Sequence, residues 1–234
     1  MRFKTFQMVV ANAVILIVLV GFGVLTLRGG AVAVSTDHDN VIYYRGNVDR
    51  PNIALMINVY WGDEYLDTML DILQDKDVKC TFFLGGSWVK DREGTLKRLV
   101  EHGHELGNHG YNHKSPTTIS DERNREEILV TERLIESMVG VRTTLFAPPS
   151  GDVNQNVARI ANEMGYRTIM WSQDTIDWRD QDVEVIVRRA TAKAANGNLV
   201  LMHPTKATAL ALPKIIDRLR ELGYNLTTVS QTLA

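Results

Sequence analysis

The sequence predicts an α/β fold: a distorted TIM-like (β/α) barrel of about seven strand–helix units, preceded by an N-terminal transmembrane helix. Three observations carry this. From Asn52 onward, apolar runs without alternation, such as IALMINV at 53–59, take turns with segments of helical periodicity. That is the pattern of strands buried on both faces of a parallel sheet and covered by helices. About seven such units with right-handed crossovers favour a closed barrel over an open doubly wound sheet. Finally, residues 8–27 carry no charge, and about twenty residues at 1.5 Å each cross a hydrocarbon core of about 30 Å.

Arg2 and Lys4 precede the apolar run, so the positive-inside tendency keeps the N-terminus in the cytoplasm and places the rest outside; Arg28 works against it. Ala31-Val32-Ala33 resembles a signal-peptidase site. The run exceeds the usual length of a cleaved signal, which favours a single-pass membrane anchor (1–33) over secretion after cleavage at Ala33. Residues 34–51, with Asp37, Asp39, Asp49 and Pro51, read as a polar tether, and 52–234 as the folded domain.

Within that domain the strand at 53–59 is followed by a helix over 64–74, a strand over 78–84 and a helix over 95–102. A helix over 118–138 has Thr118 and Asp121 as a capping box and Gly140 as its stop. Val153, Val157, Ile160, Ala161 and Met164 mark the next helical face, and 166–172 a strand. A helix over 183–195, a strand over 199–202, a helix over 212–222 with Pro213 near its start and a strand over 224–229 complete the chain.

Composition narrows the function. Lys and Arg total 26 against 28 Asp and Glu, a net charge of −2 with an isoelectric point near 6.3, which gives no basic footprint for nucleic acid. One cysteine, Cys80, allows neither an internal disulfide nor a thiolate metal cluster and reads as core. The remaining chemistry collects at strand ends, where such folds place their sites. His109 and His113 stand four apart, a spacing that lets two imidazoles converge on one cation or leaves them as ordinary hydrogen-bonded histidines. His203 ends the run LVLM and suits proton transfer near neutral pH. Asp174 and Asp177 follow another strand, as tuning carboxylates or as helix caps.

Taken in order, IALMINVYWGDEYLDTMLDIL, VKCTFFLGG, GHELGNHGYNH, FAPPSG, WSQDTIDW and LVLMHPT resemble the polysaccharide deacetylase family with the NodB homology domain, carbohydrate esterase family 4. Its members are metal-dependent esterases of N-acetylated sugars. The likeness covers about 52–232, and NVYWG with the final ALPKIID and GYNLTTVS is most similar to the sporulation-associated branch. The resemblance implies that His109 and His113 bind a divalent cation, Zn²⁺ first among them, that His203 is the general acid and that Asp177 tunes it. It places Trp178 and Leu201 at the apolar wall around the substrate acetyl group, and Pro149 and Ser150 at the substrate, the Ser150 amide as oxyanion donor.

Two departures stand out. The family's first motif reads Thr-Phe-Asp-Asp-Gly, a catalytic base followed by a metal ligand; without gaps these fall on Asn58 and Val59. The arginine that contacts the base is Ala147. An amide is no base near neutral pH, and losing a general base costs about 10²- to 10⁴-fold. Catalytic zinc usually takes three protein ligands, so Asn58 or Asp63 becomes a candidate third; for Asp63 helix capping is the stronger reading. Two functions follow: a membrane-anchored N-deacetylase of peptidoglycan or a related amino-sugar polymer, or a weak or inactive homologue that binds envelope glycan or a partner.

Overall fold

The computed structural model describes residues 42–234. The apolar run at 8–27, the Ala33 site and residues 34–41 of the tether lie outside the described residues. Among the described residues no helix is long and apolar enough to cross a membrane.

The elements run β1 (Ile42–Tyr43), β2 (Asn52–Val59), α1 (Asp63–Asp75), β3 (Thr81–Leu84), α2 (Gly86–Val89), α3 (Glu93–Glu101), β4 (Glu105–Asn108), α4 (Asp121–Val139) and β5 (Leu145–Phe146). They continue with α5 (Gln155–Glu163), β6 (Arg167–Ile169), β7 (Gln173–Asp174), α6 (Val183–Thr191), β8 (Leu199–Met202), α7 (Lys206–Glu221), β9 (Asn225–Thr227) and α8 (Val229–Leu233). The strands pair in parallel in the order β1-β6-β5-β4-β3-β2-β8-β7, with β9 added to the start of β2. This curled parallel sheet with helices outside it is the distorted barrel the sequence predicts.

β2 shows how the layers divide. Its alternate residues Ile53, Leu55, Ile57 and Val59 join the large core beneath the helices, with Leu70 of α1 and Ile215 of α7. Ala54 and Met56 join a smaller inner cluster with Phe83, Ala147, Ile169 and Leu199. Positions 53–57 and 59 are apolar because both faces are covered, and the period of two survives in which core each residue enters.

Four elements differ from expectation. The strand over 166–172 divides: Met170 N–H bonds Tyr43 O and Ser172 N–H bonds Leu199 O, so 170–172 cross from the β6 side to β8. Part of the expected tether joins the sheet, since β1 pairs with β6 and Arg45 bridges Asn198. The cap of α4 is Ser120, whose hydroxyl accepts the Arg123 N–H, rather than the Thr118–Asp121 pair. Helix α7 starts six residues before Leu212, capped by Thr205, with Pro213 inside it. The buried stripe Ala207, Ala211, Leu212, Ile215 and Leu219 outweighs the single hydrogen bond Pro213 removes.

Candidate active site

The C-terminal ends of β2, β4, β7 and β8, with the loop after β5, surround a cavity of about 530 Å³. The alternation of β2 decides what its end offers. Asn58 lies on the inner face, 5% exposed, and lines the cavity. Val59 is fully buried on the outer face, in the core beneath the helices. Of the two positions where the family carries carboxylates, only the first faces the site. The Asn58 Oδ1 is buried without a hydrogen-bond partner, an uncommon condition for an interior polar atom.

His109 follows β4 and is 2% exposed. Its Nδ1 lies 2.7 Å from Ala147 O; a carbonyl only accepts, so Nδ1 carries the proton and Nε2 keeps its lone pair. Burial, then the neighbouring His113, pushes its pKa down to about 3, which holds the ring neutral at ordinary pH. The His113 ring lies edge-on at 4.9 Å between centroids, and burial lowers its pKa as well. His113 sits at φ 53, in a loop tied to α4. Glu127 Oε2 accepts the Tyr111 N–H at 2.7 Å and the Asn112 N–H at 2.5 Å, and Glu127 Oε1 pairs with Arg123 at 2.7 Å.

His203 follows β8. Its Nδ1 lies 2.8 Å from Asp177 Oδ1, while Asp177 Oδ2 accepts the His203 backbone N–H at 2.7 Å and the Thr208 hydroxyl at 2.5 Å. Asp177 is fully buried, and its three donors fix the carboxylate, which fixes the imidazole with Nε2 as the free nitrogen. Asp177 is therefore no helix cap. The adjacent Asp174 accepts the Ile176 N–H, yet also lines the cavity; burial raises its pKa.

Of the residues singled out from sequence, Asn58, His109, His113, Ser150, Trp178, Leu201 and His203 line one cavity, and Asp177 supports His203 from behind. Ser150, at φ 57, sits in a 3₁₀ turn closed by the Gly151 and Asp152 N–H groups, bonds that leave its own N–H free of the turn. Pro149 is buried against Gly110 instead of lining the cavity. The α1 N-cap is Gly62, at φ 88, and Asp63 is the first helical residue, so the capping reading fails; the Asp63 side chain lies outside the described residues. Among the described residues no group of three or more His, Cys, Asp or Glu could hold a metal ion. Sequence reasoning missed Tyr60, Trp61 and Trp171 on the cavity wall, and Thr208 and Glu127 behind it. Trp61 stood in the NVYWG segment; Glu127 gave no signal beyond its place in a helix.

Comparison with known proteins accords with this geometry. Residues 45–169 match the polysaccharide deacetylase family. An uncharacterized protein of Bacillus subtilis, YlxY, is 43% identical over 190 residues, which are 81% of this chain and 60% of that protein. A peptidoglycan-N-acetylglucosamine deacetylase of Bacillus cereus is 35% identical over 193 residues, 78% of this chain and 90% of the enzyme. A pseudoenzyme of carbohydrate esterase family 4 from Bacillus anthracis superposes with a TM-score of 0.81 at 40% identity, covering 83% of this chain and 69% of that one. A mutant of that protein is described as having restored enzymatic activity.

Proposed function

Because the chain belongs to the polysaccharide deacetylase family, we propose that it is an extracytoplasmic N-deacetylase-like protein for peptidoglycan or a related N-acetylated amino-sugar polymer. It is held at the membrane by the run at 8–27 and is severely slowed by the missing base. The observation that carries this reading is the convergence of the His109–His113 pair and the Asp177-bonded His203 on one cavity beside a neutral amide.

The donor set fits a divalent cation: two neutral imidazoles, with the unpartnered Asn58 Oδ1 as the third donor. Bound there, Zn²⁺ would supply polarisation of the acetamide carbonyl and a water of lowered pKa. The chain supplies the rest. The Ser150 N–H faces the developing oxyanion, and Trp178 and Leu201 shield the acetyl methyl group. His203 Nε2 gives its proton to the departing amine as the carbon–nitrogen bond breaks, and Asp177 stabilises the imidazolium beforehand. Asn58 cannot take the water's proton, so turnover falls about 10²- to 10⁴-fold below that of an enzyme with the base.

The test is zinc content and acetate release with the detergent-solubilised full chain on N-acetylglucosamine oligomers. Stoichiometric zinc, lost in His109→Ala, with slow acetate release supports the proposal. Absence of zinc uptake refutes it. Zinc without any release favours the second reading, a site that binds glycan without turning it over. Asn58 at the base position and the likeness to a pseudoenzyme support that reading.

A further inference from the structure

Three of the four tryptophans in the chain, Trp61, Trp171 and Trp178, line the cavity that holds the histidines. Trp88 alone is elsewhere, buried in the outer core. Trp171 packs against Gly151, where an added Cβ would meet the indole at 2.5 Å. The other two stand in solvent at the rim, Trp61 45% and Trp178 55% exposed. Apolar surface left in water forgoes the free energy its burial would release. Two indoles left so on one rim point to a ligand with a flat apolar face.

Trp61 is held in place. Its ring lies parallel to the His203 imidazole, 4° between planes and 5.9 Å between centroids. The next residue, Gly62, has φ 88 and lies so close to Pro204 that an added Cβ would stand 2.5 Å from its carbonyl oxygen. The turn that presents Trp61 is thereby pinned to the segment carrying His203. An indole already ordered loses little entropy when a ligand lands on it.

We propose that Trp61 is a stacking platform for a pyranose ring of an N-acetylated amino-sugar strand, beside the acetyl wall to which Trp178 belongs, and that it holds the strand independently of metal and of turnover. This rests on the proposed function in taking such a strand as the occupant. The chemistry selects it: a pyranose offers an apolar face of C–H groups with hydroxyls around its edge. The cavity alternates in the same way, with indole faces beside the polar groups of Asn58, Ser150, Asp174 and His203. A purely aliphatic ligand would strip water from the Asp174 carboxylate and the Asn58 amide and give nothing back.

The experiment titrates an N-acetylglucosamine tetramer into the detergent-solubilised full chain, with and without a metal chelator. Tryptophan fluorescence and calorimetry follow the binding, and circular dichroism checks the fold of each variant. Expected is saturable binding that survives the chelator, weakens about tenfold or more in Trp61→Ala, and is largely kept in Trp61→Phe. Leu210→Ala, at an equally exposed apolar residue on α7, should change nothing. Three results overturn the proposal: no binding by the unaltered chain, binding unchanged in folded Trp61→Ala, or binding tightened by it, which would make Trp61 a cover over His203. The two readings fail separately. Tetramer binding without zinc uptake sinks the deacetylase reading and spares the platform; zinc and acetate release with tetramer binding indifferent to Trp61 does the reverse.

Discussion

Replacing Asn58 and Val59 by aspartate, one at a time, sets the same carboxylate on opposite faces of β2. At 59 the isopropyl group is fully buried in the core beneath the helices. Removing it forgoes roughly 1.5–3 kcal/mol of transfer free energy, and an unpaired polar group in its place adds roughly 2 kcal/mol or more. The loss of about 3.5–5 kcal/mol or more approaches the lower end of the whole stability of a small domain, about 5–15 kcal/mol. At 58 the change is nearly isosteric and faces the cavity, so the fold tolerates it. Burial works to raise the pKa of the new carboxyl and a bound zinc to lower it, and its value as a base grows with pH until it is ionised. Asn58→Asp should therefore raise acetate release by up to about 10²-fold, increasingly toward alkaline pH. Val59→Asp should lower the urea midpoint sharply and gain no zinc affinity. Urea unfolding followed by tryptophan fluorescence, with acetate release across pH, reads both. A Val59→Asp chain with an unchanged midpoint and tighter zinc would show that residue 59 faces the cavity and would refute the assignment of faces.

Glu127→Gln should weaken zinc binding about tenfold or more, since a partner that orients a metal ligand typically costs 10–100-fold when removed. Competition with a chelator dye measures it, and an unchanged constant would mean that the 111–113 loop holds its shape without Glu127. Folding should also weaken in acid through His104, away from the site. The Cys80 N–H donates to His104 Nδ1, leaving the proton on a buried Nε2 without a partner. Burial first, then Lys79 and His102, lowers its pKa from 6.5 to about 4. The unfolded chain takes up this proton first, so the contribution is full above pH 6.5 and lost progressively toward about pH 4. Urea midpoints against pH should show that slope, and His104→Gln should flatten it.

Much of the fold was legible because both layers of β2, β3 and β8 are apolar and the intervening helices keep their stripes. What was not legible depended on contacts between distant residues. The division of 166–172 is made by Tyr43 and Leu199, neither of which marks that segment in sequence. Pro213 reads as a helix start, and only the packing of Ala207 and Thr208 reveals the earlier turns. In the site, strand-end positions gave the three histidines and Asp177. Gapless alignment also placed Val59 where the family has a ligand, and the pleat then turned it outward. Trp61 was passed over because one aromatic at a strand end carries no periodic signal, whereas its stacking on His203 is a fact of the folded chain.

The missing arginine is tied to the missing base through packing. Ala147 is fully buried in the small inner cluster with Ala54, Met56 and Phe83, and its carbonyl accepts the His109 Nδ1–H. A guanidinium grown from this position must push that cluster apart, at a typical cost of about 1–3 kcal/mol, and any shift of the carbonyl turns the His109 ring. The neutral amide at 58 and the methyl at 147 are then matched: an ionised carboxylate would sit there without its partner, and the partner has no room. Asn58→Asp combined with Ala147→Arg is accordingly expected to be less stable in urea and to hold zinc less tightly than Asn58→Asp alone. Its added charge should lower the pH at which the new base works, without raising the alkaline plateau of acetate release. A double variant that matches the single one in stability and zinc affinity, with a higher plateau, would show that the inner cluster yields freely to the arginine and that packing does not link the two positions.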